Sequence, residues 1–120
     1  AHAIADQRRP TEQPVFMIWG ATRGHDLDRT VAAWTVPLEQ CWAVQARAPR
    51  SMPANTVKRA LLRGGISQVI ESKVENAVAE AIAAAKKSGG LVVVTGSLYL
   101  VGEVRAMFTP MSVDPTLPDF

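Results

Sequence analysis

Two short segments of the chain combine glycine with polar side chains directly after an apolar run. We call residues 20–26 (GATRGHD) the first loop and residues 95–99 (TGSLY) the second loop. Glycine lets a backbone approach a ligand closely, and a serine at a helix start leaves backbone N–H groups free to bind an anion. The second loop, with Gly96, Ser97 and Tyr99, therefore predicts a site for a phosphate or a carboxylate.

A purely structural explanation fits the second loop as well. Ser97 can cap a helix, and Gly96 can make a tight turn, without either residue touching a ligand. The chain contains no GxGxxG pattern and no GKS or GKT, so the phosphate-binding motifs that use those residues are excluded. Both explanations of the second loop stay open at this point.

Charged side chains cluster in the first loop, where Arg23, His25 and Asp26 could contact an acidic substrate. A solvated turn in which Asp26 caps the next helix explains the same residues. Together with Ser97, His25 and Asp26 have the residue types of a nucleophilic triad, but the GxSxG pattern of a nucleophile elbow is absent. We therefore assign no catalytic residue and no metal ligand.

The segments that hold the two loops alternate between strand and helix patterns. Strands are predicted at residues 15–19, 41–46, 66–71 and 91–95. Helices are predicted from Asp26 through Trp34 and at residues 51–63, 74–88 and 98–108. The strand candidates at 15–19 and 91–94 are apolar throughout instead of alternating, which is typical of parallel strands covered on both faces.

This pattern predicts an α/β fold with a Rossmann-like, mostly parallel sheet, helices on both faces and residues 91–95 as an inner strand. In such sheets, ligands bind beyond the carboxyl ends of the strands, where both loops lie. Residues 109–120 contain Pro110, Pro115 and Pro118 and should be irregular or extended. We therefore expect a domain at residues 1–108, followed by a Pro-rich tail at 109–120.

Composition excludes several classes of protein. The 120 residues suffice for one domain, and the 48% of apolar residues indicates a folded chain. The net charge of +2 comes from scattered basic residues, which argues against a nucleic-acid partner. Cys41 is the single cysteine, so an intrachain disulfide is impossible and a cytoplasmic location fits best. The longest strongly apolar run, residues 91–94, is too short to span a membrane.

The block LVVVTGSLYLVGEVR, residues 91–105, resembles the last strand and helix of folylpolyglutamate/dihydrofolate synthases, which belong to the Mur ligase superfamily. In that family a hydrophobic strand runs into GSLYL or a close variant. The family also has a strand that ends in glycine, followed by five residues and then aspartate, usually preceded by lysine. Gly20 and Asp26 keep this spacing, but His25 replaces the lysine. The resemblance covers roughly residues 1–108.

The resemblance implies an ATP-dependent ligase of folate biosynthesis and one-carbon metabolism. In such an enzyme, ATP phosphorylates the carboxylate of the folate's glutamate tail, or of dihydropteroate, and the amino group of an incoming glutamate attacks the acyl phosphate. The P-loop, the Mg²⁺ ligands and the folate-binding elements belong to a larger N-terminal ATPase domain. The C-terminal domain closes on that partner and helps to position ATP and glutamate. We therefore expect this chain to be inactive alone.

The family's DGAHNP motif would lie just before Ala1, so the resemblance implies an N-terminally truncated domain. Loss of preceding elements would uncover an edge of the sheet, and uncovered edges favour pairing. We therefore expect a homodimer through an exposed sheet edge. Two other functions stay open: a stand-alone Rossmann-like module that binds a small anion at Gly96 and Ser97, and the C-terminal domain of a peptidoglycan Mur ligase.

Overall fold

Four apolar segments of the chain form strands, and each is followed by a helix. The computed structural model describes residues 13–24 and 26–108, without the side chain of Leu98. The strands are β1 Val15–Trp19, β2 Gln40–Ala43, β3 Val69–Glu71 and β4 Leu91–Thr95. The helices are α1 Leu27–Ala32, α2 Ala54–Arg63, α3 Val74–Ser88 and α4 Leu98–Phe108. His25 and the predicted tail at 109–120 lie outside the described residues.

The four strands form one sheet in the order β3-β2-β1-β4, and every described pair is parallel. In this register Met17 of β1 lies opposite Cys41 of β2 and opposite Val93 of β4. The α/β, Rossmann-like fold predicted from the sequence is confirmed.

Helices cover both faces of the sheet. Since alternate residues of a strand point to opposite faces, neighbouring residues of one strand pack against different helices. Met17 and Trp19 belong to a buried cluster on the face that carries α1 and α2, which we call the first face. Phe16 and Ile18 belong to a second cluster, formed with side chains of α3 and α4 on the opposite face, the second face. β1 is therefore buried on both sides, as its unbroken apolar sequence predicts.

Strand β4 departs from the prediction that residues 91–95 form an inner strand. Among the described strands it lies at the outside of the sheet, next to β1 only, and all five of its residues are partly exposed. Its apolar sequence indicated burial but carried no information on strand order. The expected inner position is therefore wrong for the sheet as described.

Four elements are shorter than predicted. One is α2, which begins at Ala54 instead of residue 51. Helix α1 ends at Ala32, and Trp34 packs edge-on against Trp19 from the following turn, with ring centroids 6.1 Å apart. Strand β2 ends at Ala43, although Val44 and Ala46 stay buried beyond it. Strand β3 covers only three residues of the predicted 66–71. Apolar residues can stay in the core after a ladder ends, so hydrophobicity alone overestimates element length.

Burial of Cys41 should make the fold less stable at alkaline pH. The thiol is fully buried in β2, and desolvation raises its pKa from 9.0 to about 12. Because the folded pKa lies above the unfolded one, this contribution is complete below pH 9 and is lost as the pH rises towards 12. At pH 10 we expect a loss of about 1 kcal/mol in unfolding free energy relative to pH 7 from this group alone.

Urea denaturation of the chain and of Cys41→Ala at both pH values checks this expectation, since the variant lacks the thiol but keeps the other alkaline groups. The difference between the two proteins should shrink from pH 7 to pH 10. An unchanged difference would contradict a buried, protonated thiol.

Candidate functional site

The carboxyl ends of β1 and β4 lie side by side at the point where the chain changes faces. After β1 the chain passes to α1 on the first face, whereas after β4 it passes to α4 on the second face. Such a switch leaves a crevice between two neighbouring strand ends, which is where open α/β sheets bind ligands. The first and second loops lie at this crevice.

The first loop is fixed by backbone hydrogen bonds to the end of β4 on one side and to the segment before α2 on the other. The Gly20 N–H donates to the Thr95 carbonyl at 3.1 Å, which extends the pairing of β1 with β4 by one residue. The Arg23 N–H donates to the Arg50 carbonyl at 2.7 Å, and Thr22 forms an antiparallel bridge with Ser51. The loop is therefore held by backbone contacts on both sides.

A hydroxyl pair joins the two loops. Thr22 Oγ1 donates to Ser97 Oγ at 3.2 Å. Ser97 Oγ in turn accepts from the Leu100 N–H at 3.4 Å. The serine therefore caps α4, which is the structural role that the sequence suggested for it. Capping and ligand binding are compatible here, because a helix leaves several first-turn N–H groups without an intrahelical partner.

The crevice is a cleft of about 450 Å³ with polar and apolar walls. The second loop contributes Thr95, Gly96, Ser97 and Tyr99 to the lining, and the first loop contributes Thr22. The remaining lining residues are Thr30, Val94 and Val101. Tyr99 is 62% exposed and stands at the rim. Hydroxyls and backbone N–H groups in such a cleft can bind an anion without any charged side chain.

Gly96 sets the distance between the two walls of the cleft. Its φ of +100° lies in the region that favours glycine. A Cβ on Gly96 would overlap the carbonyl oxygen of Gly20 and would come within 2.7 Å of the Trp19 indole. Only a residue without a side chain lets α4 begin this close to the end of β1.

Of the six predicted site residues, the structure brings three together in the cleft, namely Gly96, Ser97 and Tyr99. Asp26 caps α1, with Oδ1 accepting from the Arg29 N–H at 3.1 Å. Arg23 is exposed and lies beside the cleft without lining it. His25 falls outside the described residues. Whether any of the six binds a ligand stays a prediction.

A model of the dihydrofolate synthetase C-terminal domain matches residues 1–107 of the chain. The chain belongs to this family. A search of curated proteins found no match to it. A dihydrofolate synthetase C-terminal domain is the unit that the sequence block at 91–105 predicted, so the family assignment is confirmed.

Solved structures of folylpolyglutamate synthases share the fold of this C-terminal domain. One is Mycobacterium tuberculosis folylpolyglutamate synthase complexed with ADP and AMPPCP, with a TM-score of 0.72 and 19% identity; the match covers 85% of this chain and 24% of that one. Another is a Yersinia pestis bifunctional folylpolyglutamate synthase/dihydrofolate synthase complexed with AMPPNP and Mn ion, with a TM-score of 0.68 and 21% identity; it covers 89% and 25%. The chain spans about a quarter of the length of these proteins.

A second cleft of this C-terminal domain, of about 520 Å³, lies at the carboxyl ends of β2 and β3. Arg47 is its centre: the guanidinium lies 2.6 Å from Glu75 on α3 and 3.6 Å from Glu103 on α4. The Arg47 N–H also donates to Glu103 Oε1 at 2.8 Å. A hydrogen bond from its own backbone N–H and the charge of Arg47 hold the pKa of Glu75 below its usual range. These charges satisfy one another and tie both helices to the loop after β2.

Sequence reasoning missed Thr22 and the Arg47 cluster. Thr22 is a common residue in a turn, and only the adjacency of β1 and β4 brings it to Ser97. Arg47 and Glu103 are 56 residues apart, so no local pattern connects them. Within the described ranges, no group of three or more His, Cys, Asp or Glu side chains could hold a metal ion. No helix of the described residues combines the length and apolar character needed to cross a bilayer.

Proposed function

We propose that this chain is the accessory domain of an ATP-dependent ligase that adds glutamate to folate, as folylpolyglutamate synthase, dihydrofolate synthase or both. The observation that carries the proposal is the family match over residues 1–107. Solved proteins of the same fold were complexed with ADP, AMPPCP or AMPPNP, which supports a nucleotide at the parent enzyme's site. The partner in this proposal is the enzyme's own N-terminal ATPase domain.

The cleft between the two loops is the part of this chain that we propose faces nucleotide and substrate. A phosphate or carboxylate fits the N-terminus of the 11-residue helix α4, where Gly96 adds no bulk and the hydroxyls of Thr22 and Ser97 lie 3.2 Å apart. Tyr99 at the rim, and Arg23, His25 and Asp26 in the first loop, are the further side chains that we propose for contacts across the domain junction. A fixed set of donors can orient a reacting group without contributing a catalytic residue.

The nucleotide and the metal place different demands on this chain. When bound, ATP would supply the phosphoryl group that turns a carboxylate into a better electrophile through an acyl phosphate. The hydroxyls and helix N-terminus of the cleft suit its phosphate oxygens. Mg²⁺ prefers carboxylate oxygens, and the described part of the cleft has none among its lining residues. We therefore propose that the ligands of the metal lie outside this cleft and mostly outside this chain.

Activity measurements test the accessory role directly. The isolated chain should hydrolyse no ATP above the background rate and should bind nucleotide weakly at best. Glutamate addition to folate should appear only when the chain is joined to an N-terminal ATPase domain of the family. Robust turnover by the 120-residue chain alone would refute the proposal. The coding sequence directly upstream of Ala1 gives an independent check, since DGAHNP is expected there.

A stand-alone anion-binding module is the second candidate, because both walls of the cleft come from this one chain. It predicts a micromolar calorimetric signal when a nucleotide is titrated into the isolated chain. Ser97→Trp should abolish that signal by filling the cleft, whereas Ser67→Trp, on an exposed loop, should leave it unchanged. A signal that survives Ser97→Trp would exclude the cleft as the binding site.

Location, domain boundary and self-association belong to the same proposal. A cytoplasmic location and a role in one-carbon metabolism are supported by the family and by the single buried cysteine, which a reducing compartment suits. A domain ending at 108 agrees with the family match, which ends at 107. We also propose that the outer edge of β4 can pair with a second copy of the chain whenever nothing else occupies it, because this strand is apolar and uncharged.

A further inference from the structure

Ser51 carries a buried hydroxyl that has no hydrogen-bond partner among the described residues. The residue is 2% exposed, and its Oγ atom is shielded from solvent. A buried polar group that forms no hydrogen bond costs folding free energy, so such groups are rare and call for an explanation. An alanine would fill the same place without this cost. The position of Ser51 in the fold shows what its hydroxyl can do.

The backbone fixes the direction of the Ser51 side chain. Two backbone hydrogen bonds, of 2.8 and 2.7 Å, join residues 21–23 to residues 50–52 and flank the antiparallel bridge between Thr22 and Ser51. A pair flanked in this way is the non-hydrogen-bonded pair of a ladder, and its two side chains lie on the same side, about 5 Å apart at Cβ. Ser51 and Thr22 therefore point the same way.

That direction leads to the start of α4. Ala21 and Met52 pack in the cluster of the first face, and neighbouring residues of an extended segment point to opposite sides. Thr22 and Ser51 therefore point towards the second face, where Thr22 Oγ1 lies 3.2 Å from Ser97 Oγ. Thr22 and Ser97 both line the cleft. The Ser51 hydroxyl is consequently directed at the inner wall of the cleft, beside Thr22.

The two hydroxyls of the cleft already form a chain with one direction. A hydroxyl donates one hydrogen bond and accepts up to two. Ser97 Oγ accepts from Thr22 and from the Leu100 N–H. These two contacts leave the Ser97 proton for a further acceptor at the N-terminus of an 11-residue helix, where an oxyanion is favoured. Thr22 Oγ1, which gives its own proton to Ser97, can accept one from a neighbour.

We propose that Ser51 is a positioning residue for an oxyanion in this cleft, a role that rests on the anion site of the proposed function. With a carboxylate or phosphate oxygen bound, Ser51 donates to Thr22 Oγ1, Thr22 donates to Ser97 Oγ, and Ser97 donates to the oxyanion. Ser51 itself touches no ligand atom.

A small change completes this chain of hydroxyls. Ser51 and Thr22 do not bond to each other in the structure, but a serine and a threonine at this cross-strand spacing can do so after rotation of the Ser51 side chain to another staggered position. Each hydrogen bond in such a chain polarises the next one. The buried Ser51 hydroxyl therefore strengthens the proton that Ser97 offers to the ligand.

NMR titration of the full 120-residue chain with inorganic phosphate and, separately, with L-glutamate tests the proposal. Amide shifts of Ser97 and Leu100 report binding in the cleft, and the two probes show whether the site prefers phosphate or carboxylate. Ser51→Ala should raise the dissociation constant of the preferred probe about fivefold, the size expected for one neutral hydrogen bond. The same variant should keep or raise the midpoint of urea unfolding, because it removes a buried hydroxyl that lacks a partner. A serine that only fills space would not give this combination.

Substitutions of Thr22 give the matched comparisons. Thr22→Val keeps the shape but removes the hydroxyl, and it should weaken binding about tenfold, whereas Thr22→Ser should stay within about twofold of the unaltered chain. Because Ser51 acts only through Thr22, adding Ser51→Ala to Thr22→Val should change the dissociation constant by less than about twofold. Ser67→Ala, on an exposed loop, is the control and should alter neither binding nor the unfolding midpoint.

Three results would overturn the role of Ser51 and leave the cleft as the anion site. They are an unchanged dissociation constant in Ser51→Ala, a lower unfolding midpoint in that variant, and additive effects of Ser51→Ala and Thr22→Val. Absence of any shift with phosphate or glutamate in the unaltered chain would reject the anion site itself and the role of Ser51 with it. Glutamate addition by the chain joined to an N-terminal domain would still support the accessory role.

Discussion

Gly96→Ala should lower the free energy of unfolding by about 3 kcal/mol, since an L-residue at positive φ costs about 1–2 kcal/mol and forced overlap with backbone adds a similar amount. The overlap is with the carbonyl of Gly20, which the ladder between β1 and β4 holds in place. The neighbour that must yield is therefore backbone, not a flexible side chain.

Urea denaturation measured by circular dichroism checks this value, and Gly102→Ala is the matched control. Gly102 lies within α4, and nothing stands within 4 Å of the position that its Cβ would take. Alanine there should raise the unfolding free energy by about 0.5–1 kcal/mol through its higher helix propensity. Equal effects at the two glycines would contradict the close approach of α4 to β1.

Leu100→Ala should also destabilise the chain by about 3 kcal/mol, because it removes a buried leucine and leaves a cavity. Leu100 is fully buried, and its Cδ2 lies 3.0 Å from the point that a Cβ on Gly20 would occupy. The side chain therefore fastens the first turn of α4 to the end of β1. Its loss should loosen the cleft wall as well as the core.

Tyr99→Ala is the comparison for Leu100→Ala, since the two residues are adjacent on α4 and differ in burial. We expect a loss below about 1 kcal/mol for the tyrosine, because most of its ring already contacts solvent. Thermal unfolding of both variants gives the measurement. A loss at Tyr99 as large as that at Leu100 would mean that the tyrosine ring packs against part of the chain.

Strands β1 and β4 could be predicted from sequence because their physical cause is local. Five consecutive apolar residues in β1, and four followed by a threonine in β4, each run into glycine and leave few alternatives to a strand in a covered sheet. The Ala-rich α3, which ends at Gly89, is similarly determined by helix propensity and by a residue suited to a left-handed cap. These elements kept the bounds that the pattern predicted.

Strand order and side-chain contacts across the sheet could not be predicted, because they depend on residues that are far apart in sequence. Among the described strands β4 pairs with β1 alone, and no feature of residues 91–95 predicts this outer position. The contact of Thr22 with Ser97 follows from the same pairing. Asp26 could be predicted as a cap from its position before Leu27, and the structure shows it in that role.

The walls of the cleft come from residues 75 positions apart, since Thr22 and Ser97 meet only across the junction of β1 with β4. Closing a chain segment of that length costs more entropy than closing the shorter segments between β1 and β2 or β2 and β3, so this junction should form after those strands have paired. A pair of fluorophores placed across the cleft should therefore report a late step of folding. Local unfolding of β4 should likewise open the cleft before it disturbs the pairing of β2 with β3.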